Sequence, residues 1–166
     1  MISSEMEISF RKYITAADVD RVKEIVFSTG FFREDEVEVA VELVTEAYKK
    51  GQEQAGYYFI FSMEGNYTTG YVCYGPTPCT IGTYDLYWIA VDNHFRGSGT
   101  GKKLILETEK ELIIKNARKL YIETSSTDKY LPTRKFYESC GYKIEATLTD
   151  FYAKDDHKII YSKVLN

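Results

Sequence analysis

A chain of 166 residues, 44% hydrophobic and 28% charged, has the make-up of one ordinary globular domain and excludes a largely disordered chain. At this length about 70% of the unfolded surface can be buried, so no disulfide or metal staple is needed. The net charge of −4, from 21 basic and 25 acidic residues, argues against nucleic acid or a membrane as partner.

Taken in chain order, Ile8, Phe10 and Tyr13 predict an opening strand. Thr15 with Asp18 reads as a helix N-cap and its acidic N3 residue, followed by Val19, Val22 and Val26 on one face up to Gly30. A second helix is bounded by Glu34, Asp35 and Glu36 at its start and by Lys49, Lys50 and Gly51 at its end. Its expected buried stripe is Val37, Ala40, Val41, Val44 and Tyr48. Residues 57–63 and 69–74 read as a hairpin turning at Glu64-Gly65-Asn66, and Gly75 to Pro78 breaks the ladder. Residues 84–91 form a largely apolar strand, 101–116 a helix and 120–124 a short strand. Pro132 opens a helix that Gly141 ends. Tyr142, Ile144, Ala146 and Leu148 alternate as a strand, and residues 157–164 make the last one. The order is βααβββαβαββ, a mixed α/β layer structure with no linker or repeat.

Cys73, Cys79 and Cys140 cannot all pair internally, which suits a reducing compartment, and two histidines exclude a His-rich metal centre. Residues 1–10 contain Glu5 and Glu7 without an apolar core, and no apolar run approaches the roughly 20 residues of a membrane span. The expected location is the cytoplasm.

The segment richest in chemistry is Ile89-Ala90-Val91-Asp92-Asn93-His94-Phe95-Arg96-Gly97-Ser98-Gly99-Thr100-Gly101-Lys102. A strand enters a turn with glycines at alternate positions, then a helix. Such a turn presents backbone N–H groups without obstruction, and the helix N-terminus adds partial positive charge. Arg96, Lys102 and Lys103 strengthen that field, so the turn suits a phosphate or pyrophosphate. Glycines alone would read as a flexible loop; the strand before and the helix after favour the binding reading. Two nucleotide-binding spacings fail. A P-loop ending on Gly101-Lys102 would need glycine at Arg96 and Ser or Thr at Lys103. A G-x-G-x-x-G fingerprint would end on Lys102 or Leu104.

The spacing that fits is R-x-x-G-x-G, met by Arg96, Gly99 and Gly101. A second block, Arg134-Lys135-Phe136-Tyr137-Glu138-Ser139-Cys140-Gly141-Tyr142, follows about 35 residues later. Together the two blocks resemble the GNAT superfamily of acyl-CoA-dependent N-acetyltransferases. The resemblance is strong over residues 83–165 and only topological over 1–65. It implies one GNAT-like domain over the whole chain, with a mostly antiparallel sheet of about seven strands and helices on both faces. It also implies acetyl-CoA as acyl donor, with no metal, and a primary amine of a small molecule as acceptor. A homodimer is compatible with it.

The resemblance assigns roles residue by residue. Arg96, Gly97, Ser98, Gly99, Thr100, Gly101 and Lys102 take the pyrophosphate, and Ile89, Ala90 and Val91 the pantetheine arm. Thr124 ends a strand that lines the CoA cleft in family members. Tyr130 stands where the family often carries an asparagine that contacts CoA or a water. Tyr137 matches the tyrosine that protonates or hydrogen-bonds the departing thiolate. Asp85, six residues before Val91, stands where histone acetyltransferases of the superfamily carry a general base; Glu123 and water are the alternatives.

Each role has a plainer competitor. Tyr137 is one of 15 tyrosines, most of them structural, and Asp85 could be a solvated edge charge. Cys140, Asp156 and His157 do not make a nucleophilic set, because Cys140 sits at a helix end that disfavours a thiolate. A non-catalytic acyl-CoA sensor would keep the loop and need neither Asp85 nor Tyr137. Residues 31–66 hold eight acids and three bases, and 93–120 seven bases and three acids. That polarity suits an anionic donor and a cationic amine, while a solvated helix face explains the acids equally well.

Overall fold

α1 (Ala17–Ser28) starts where Asp18 gathers several donors. Its carboxylate accepts from the Thr15 amide (2.6 Å) and hydroxyl (3.0 Å) and from both terminal nitrogens of Arg11 (2.8 and 2.7 Å). Thr15 therefore donates to Asp18, and Ala16 takes the cap position expected for Thr15. α2 (Glu34–Lys50) has the predicted acidic start and basic end, and the Glu36 carboxylate accepts from the Arg33 amide (2.8 Å). Its buried stripe is Val37, Ala40, Val44 and Ala47. Tyr48 is instead 47% exposed, because it lies about 100° further round the helix than Ala47. Gly51, at φ 86°, ends α2. A short helix that the sequence did not announce, α3 (Gln52–Ala55), follows. The Gln52 side chain donates to the Lys12 carbonyl (3.0 Å) and accepts from the Phe59 amide (2.8 Å), which holds this turn in place.

The strands are β1 (Ile8–Arg11), β2 (Tyr58–Glu64), β3 (Tyr67–Pro76), β4 (Thr83–Val91), β5 (Lys119–Ser125), β6 (Lys143–Ala153) and β7 (Asp156–Val164), with α4 (Thr100–Ile114) and α5 (Leu131–Ser139) between them. This computed structural model describes residues 7–166; Glu5, used in the N-terminal reading, lies outside them. β1 stops before Tyr13, which is exposed. The β2–β3 turn is tighter than expected, only Gly65-Asn66, with Gly65 at φ 58°. The strands form a seven-stranded sheet in the order β1-β2-β3-β4-β5-β7-β6. β1–β2, β2–β3, β5–β7 and β6–β7 pair antiparallel, whereas β4–β5 pair in parallel, which requires a crossover, supplied by α4. The fold is the mixed α/β one anticipated, with a mostly antiparallel open sheet.

The chain forms two compact units, one from the chain up to Gly75 with Trp88–Thr108, the other from Pro76–Tyr87 with Glu109–Asn166. In the first, Phe59, Phe61, Tyr71 and Cys73 belong to one cluster with Val22, Ile25 and Val26 of α1 and Val37, Ala40, Val44 and Ala47 of α2. The register pairs Phe59 with Cys73 and Phe61 with Tyr71, as the two-residue period of a half-buried hairpin requires. Gly70 is needed for close approach: a Cβ there would stand 2.9 Å from the Ala90 carbonyl oxygen. In the second unit, Ile122 of β5 pairs with Tyr161 of β7, and both are buried. Buried Glu109 accepts from the Tyr142 hydroxyl (2.9 Å) and from Lys163 (2.9 and 3.0 Å). Lys163 also donates to the Cys140 carbonyl (3.0 Å), satisfying the end of α5. Along β6 the alternation does not mark a buried face, since Ile144 and Leu148 are exposed. A sheet-edge position leaves such side chains with no neighbouring strand on one side.

One core group is at odds with its surroundings. Tyr71 is fully buried, and its hydroxyl has no hydrogen-bonding partner among the described residues. A buried hydroxyl left unpaired carries its desolvation cost uncompensated. Tyr71→Phe is therefore expected to raise unfolding stability by about 1 kcal/mol, read as a higher urea midpoint at unchanged slope. A lower midpoint would mean that the hydroxyl is paired in solution.

Candidate functional site

The glycine turn belongs to the first unit. β4 ends at Val91, with Ala90 buried and Ile89 and Val91 half-buried. The Asp92 amide donates to the Thr69 carbonyl (2.8 Å), and a 3-10 turn, Asn93–Phe95, follows. Arg96, Gly97, Ser98 and Gly99 are all exposed. Gly97 and Gly99 have φ of 83° and 78°, a region that side-chain-bearing residues rarely occupy, and a Cβ at either would meet nothing within 4 Å. The space beside both peptides is open. Ser98 and Thr100 shape the loop from within: the Ser98 hydroxyl donates to the Phe95 carbonyl (2.8 Å) and lies 2.8 Å from the Thr100 hydroxyl. Thr100 begins α4 and is buried, Gly101 is half-buried, and Lys102 and Lys103 are exposed. The result is an exposed turn with glycine amides, the start of a 15-residue helix and flanking cations, a combination that suits an anion.

Two residues to which the sequence reading gave no role hold this turn: Asp92, just after β4, and Arg21 of α1. Asp92 is only 3% exposed. Its Oδ1 accepts from the His94 amide (3.0 Å) and faces His94 Nδ1 (2.9 Å), and its Oδ2 accepts from Arg21 (2.6 Å). Burial works against its charge, but the His94 and Arg21 contacts prevail and hold the carboxyl below its ordinary value. The available signals were an acid at the exit of an apolar strand and an arginine beside the valines of α1.

The second unit holds the candidate acid–base residues. Asp85 on β4 is half-buried and its Oδ2 accepts from the Thr77 hydroxyl (2.6 Å). Burial raises its carboxyl above the ordinary value, the Thr77 bond opposes this, and the Glu123 charge adds to it. Asp85 pairs in register with Tyr121 of β5. Glu123, two residues further along β5, is exposed and ion-paired with Lys158 (2.8 Å). Thr124 is buried, opposite Ile159. Tyr130 closes a 3-10 turn, Asp128–Tyr130, and is half-buried.

A tyrosine that reaches the donor cleft, with its neighbour Phe136 in the core, is the arrangement expected from the sequence; the structure exchanges the two. Tyr137 is the buried one, 5% exposed, with its ring 6.0 Å from Tyr161 and 6.4 Å from Tyr142, while Phe136 is half-buried. The reason is helix phase: with Pro132 at the start, α5 turns position 137 inward. Burial raises the Tyr137 phenol well above its ordinary value, with the Cys140 thiol adding to it. None of the described residues hydrogen-bonds its hydroxyl. Asp156, His157 and Cys140 are engaged separately: Asp156 accepts from Ser125, His157 Nδ1 from the Asp150 amide (2.9 Å), and the Cys140 carbonyl from Lys163. Cys73, Cys79 and Cys140 form no disulfide among the described residues. Among the described residues there is no cluster of three or more His, Cys, Asp or Glu side chains fit for a metal, and no helix is long and apolar enough to cross a membrane.

Comparison with known proteins bears directly on this arrangement. Residues 54–144, spanning parts of both units, match the family described as "Acetyltransferase (GNAT) domain". Among solved structures, an acetyltransferase assigned to the GNAT family from Desulfovibrio desulfuricans is 45% identical, with a TM-score of 0.94 over 96% of this chain and 100% of that one. The aminoglycoside 6'-N-acetyltransferase from Enterococcus faecium shares the fold at 20% identity and a TM-score of 0.76, over 97% of this chain and 98% of its own. The PaiA N-acetyltransferase from Thermoplasma acidophilum, solved in complex with coenzyme A, does so at 18% identity and 0.73, over 96% and 99%. No curated protein gives a significant match. With the family match covering more than half of the sequence and a 45% identical relative aligned along its whole length, this chain belongs to the GNAT acetyltransferase family.

Proposed function

We propose that the protein transfers an acetyl group from acetyl-CoA to the primary amine of a small, cationic molecule, by direct attack within a ternary complex. The observation that carries the donor assignment is the turn from Arg96 to Gly101, with Gly97 and Gly99 at positive φ and open space beside both. In this reading the amides of 96–101, with Arg96 and Lys102, bind the pyrophosphate, and the end of β4 at Ile89–Val91 binds the pantetheine arm. Thr124 and Tyr130 line the donor. Holding thioester and amine in line lowers the entropic part of the barrier, so no covalent enzyme intermediate is required. Asp85 is the base and Tyr137 the donor to the leaving thiolate. The whole chain is one acetyltransferase domain in this reading, and cysteines that form no disulfide among the described residues suit the cytoplasm.

The charge of the acceptor is read from residues 31–66, which hold eight acids against three bases; α2 carries six of the acids, four of them exposed. Release of free thiol from acetyl-CoA, measured across polyamines, aminoglycosides, amino acids and lysine peptides, tests the reading. Turnover should favour the small polycations. Preference for anionic amines or peptides overturns the acceptor assignment, and tight acetyl-CoA binding with no turnover on any amine makes the protein a sensor. The same assay against pH reads Asp85. A base must be deprotonated, so the rate falls on the acid side, and Asp85→Asn should abolish that limb while leaving acetyl-CoA affinity unchanged.

A further inference from the structure

We infer that Arg21 and Asp92 are positioning residues for the donor: they splint the root of the 96–101 turn and cancel a negative charge that would otherwise face the pyrophosphate. This rests on the donor reading above.

Arg21 reaches out of α1 with every part of its guanidinium engaged. Its Nε and one terminal nitrogen donate to the Thr68 carbonyl of β3 (3.0 and 2.7 Å), and that same nitrogen donates to Asp92 (2.6 Å). The other terminal nitrogen donates to Glu24 (3.0 Å). The flat face of the group lies over the Tyr67 ring, 4.4 Å from its centre. Tyr67 in turn meets Phe95, 5.6 Å between centroids, and Phe95 immediately precedes Arg96. A polar path, Arg21 to Asp92 to His94, and an aromatic path, Arg21 to Tyr67 to Phe95, thus converge on one 3-10 turn. A third tie comes from the end of α1, where the Ser28 hydroxyl accepts from the Asn93 amide (3.1 Å). These contacts fix the direction in which the chain leaves β4 and therefore where the following amides point.

The electrostatic side is equally direct. Asp92 is a buried carboxylate four residues before Arg96, and alone it would repel an anion bound on the turn. Its low exposure weakens solvent screening, so the Arg21 charge is what neutralises it. The guanidinium donates twice to Thr68 and once to Asp92 while its plane covers Tyr67; a lysine ammonium keeps the charge but has neither the fork nor the flat face.

The test compares two donors, acetyl-CoA and S-acetylpantetheine, which lacks the pyrophosphate. Arg21→Met should raise KM for acetyl-CoA about ten-fold or more, with kcat and KM for the amine little changed. Its KM for S-acetylpantetheine should match wild type. Arg21→Lys should fall between, and adding Asp92→Asn to Arg21→Met should recover part of the lost acetyl-CoA affinity, because the uncovered charge is gone. Should Arg21→Met fail to fold, Arg21→Lys and Tyr67→Leu carry the same donor comparison. Equal losses on both donors would mean that the pair merely supports the fold, and would overturn the positioning role. If wild type itself shows no preference for acetyl-CoA over the truncated donor, the turn does not bind the pyrophosphate and the donor reading falls with it.

Discussion

Replacing Tyr137 by phenylalanine is expected to lower kcat about 100-fold while leaving acetyl-CoA affinity nearly unchanged, the size of effect ordinary for loss of a general acid. When the amine attacks the thioester, the tetrahedral species must expel a thiolate. That developing charge is worth more to a positioned donor in a partly dry site than it would be in water. Burial keeps the Tyr137 phenol protonated far above neutrality, so it donates and does not accept a proton at working pH. The substitution is clean on structural grounds. Phenylalanine retains the ring packed beside Tyr142 and Tyr161, and no described residue loses a hydrogen-bond partner with the hydroxyl. Tyr130→Phe, outside the aromatic group of Tyr137, should cost less. Single-turnover thiol release gives the chemical rate directly. A Tyr137→Phe enzyme with near wild-type chemistry would hand the protonation to water.

Gly99→Val should weaken acetyl-CoA binding ten-fold or more, a loss of about 1.4 kcal/mol or above. Sequence alone suggests that a side chain would block the amides. The structure assigns a different cause: a Cβ at Gly99 would meet nothing, but φ is 78°. A β-branched residue cannot rest there without strain of about 1–3 kcal/mol, so the backbone must rotate and turn the neighbouring amides away. The turn is exposed, which lets the chain absorb this change locally and still fold. Calorimetric titration of the folded variant reads the outcome. Unchanged affinity would show that these amides do not hold the donor.

Much of the fold is legible along the chain. α2 is announced by its acidic start, basic end and terminating glycine, and the hairpin by Gly65-Asn66 between alternating strands. These signals are local: capping, dipole compensation and positive φ depend on residues within a few positions of one another. α3 escaped because it is held by the Gln52 side chain reaching Lys12, 40 residues away, and four residues carry no period of their own. Tyr48 was misplaced because a stripe drawn from apolarity alone admits an aromatic at the margin that the 3.6-residue turn leaves outside.

The site divides the same way. The sequence by itself determined the R-x-x-G-x-G turn between strand and helix and the Phe136-Tyr137 block, and with them the family, because those motifs are contiguous and their spacing is the signal. The tertiary structure alone decided that Tyr137 and not Phe136 faces inward, and that Asp85 is half-buried with Thr77 as its donor. It alone joined Arg21 to Asp92 across 71 positions. Which neighbouring aromatic is buried depends on the phase of a helix against the rest of its unit. An ion pair between distant positions depends on a strand and a helix being packed together. Neither is written in any short stretch of residues, since burial and pairing are properties of surfaces that exist only once the chain has folded.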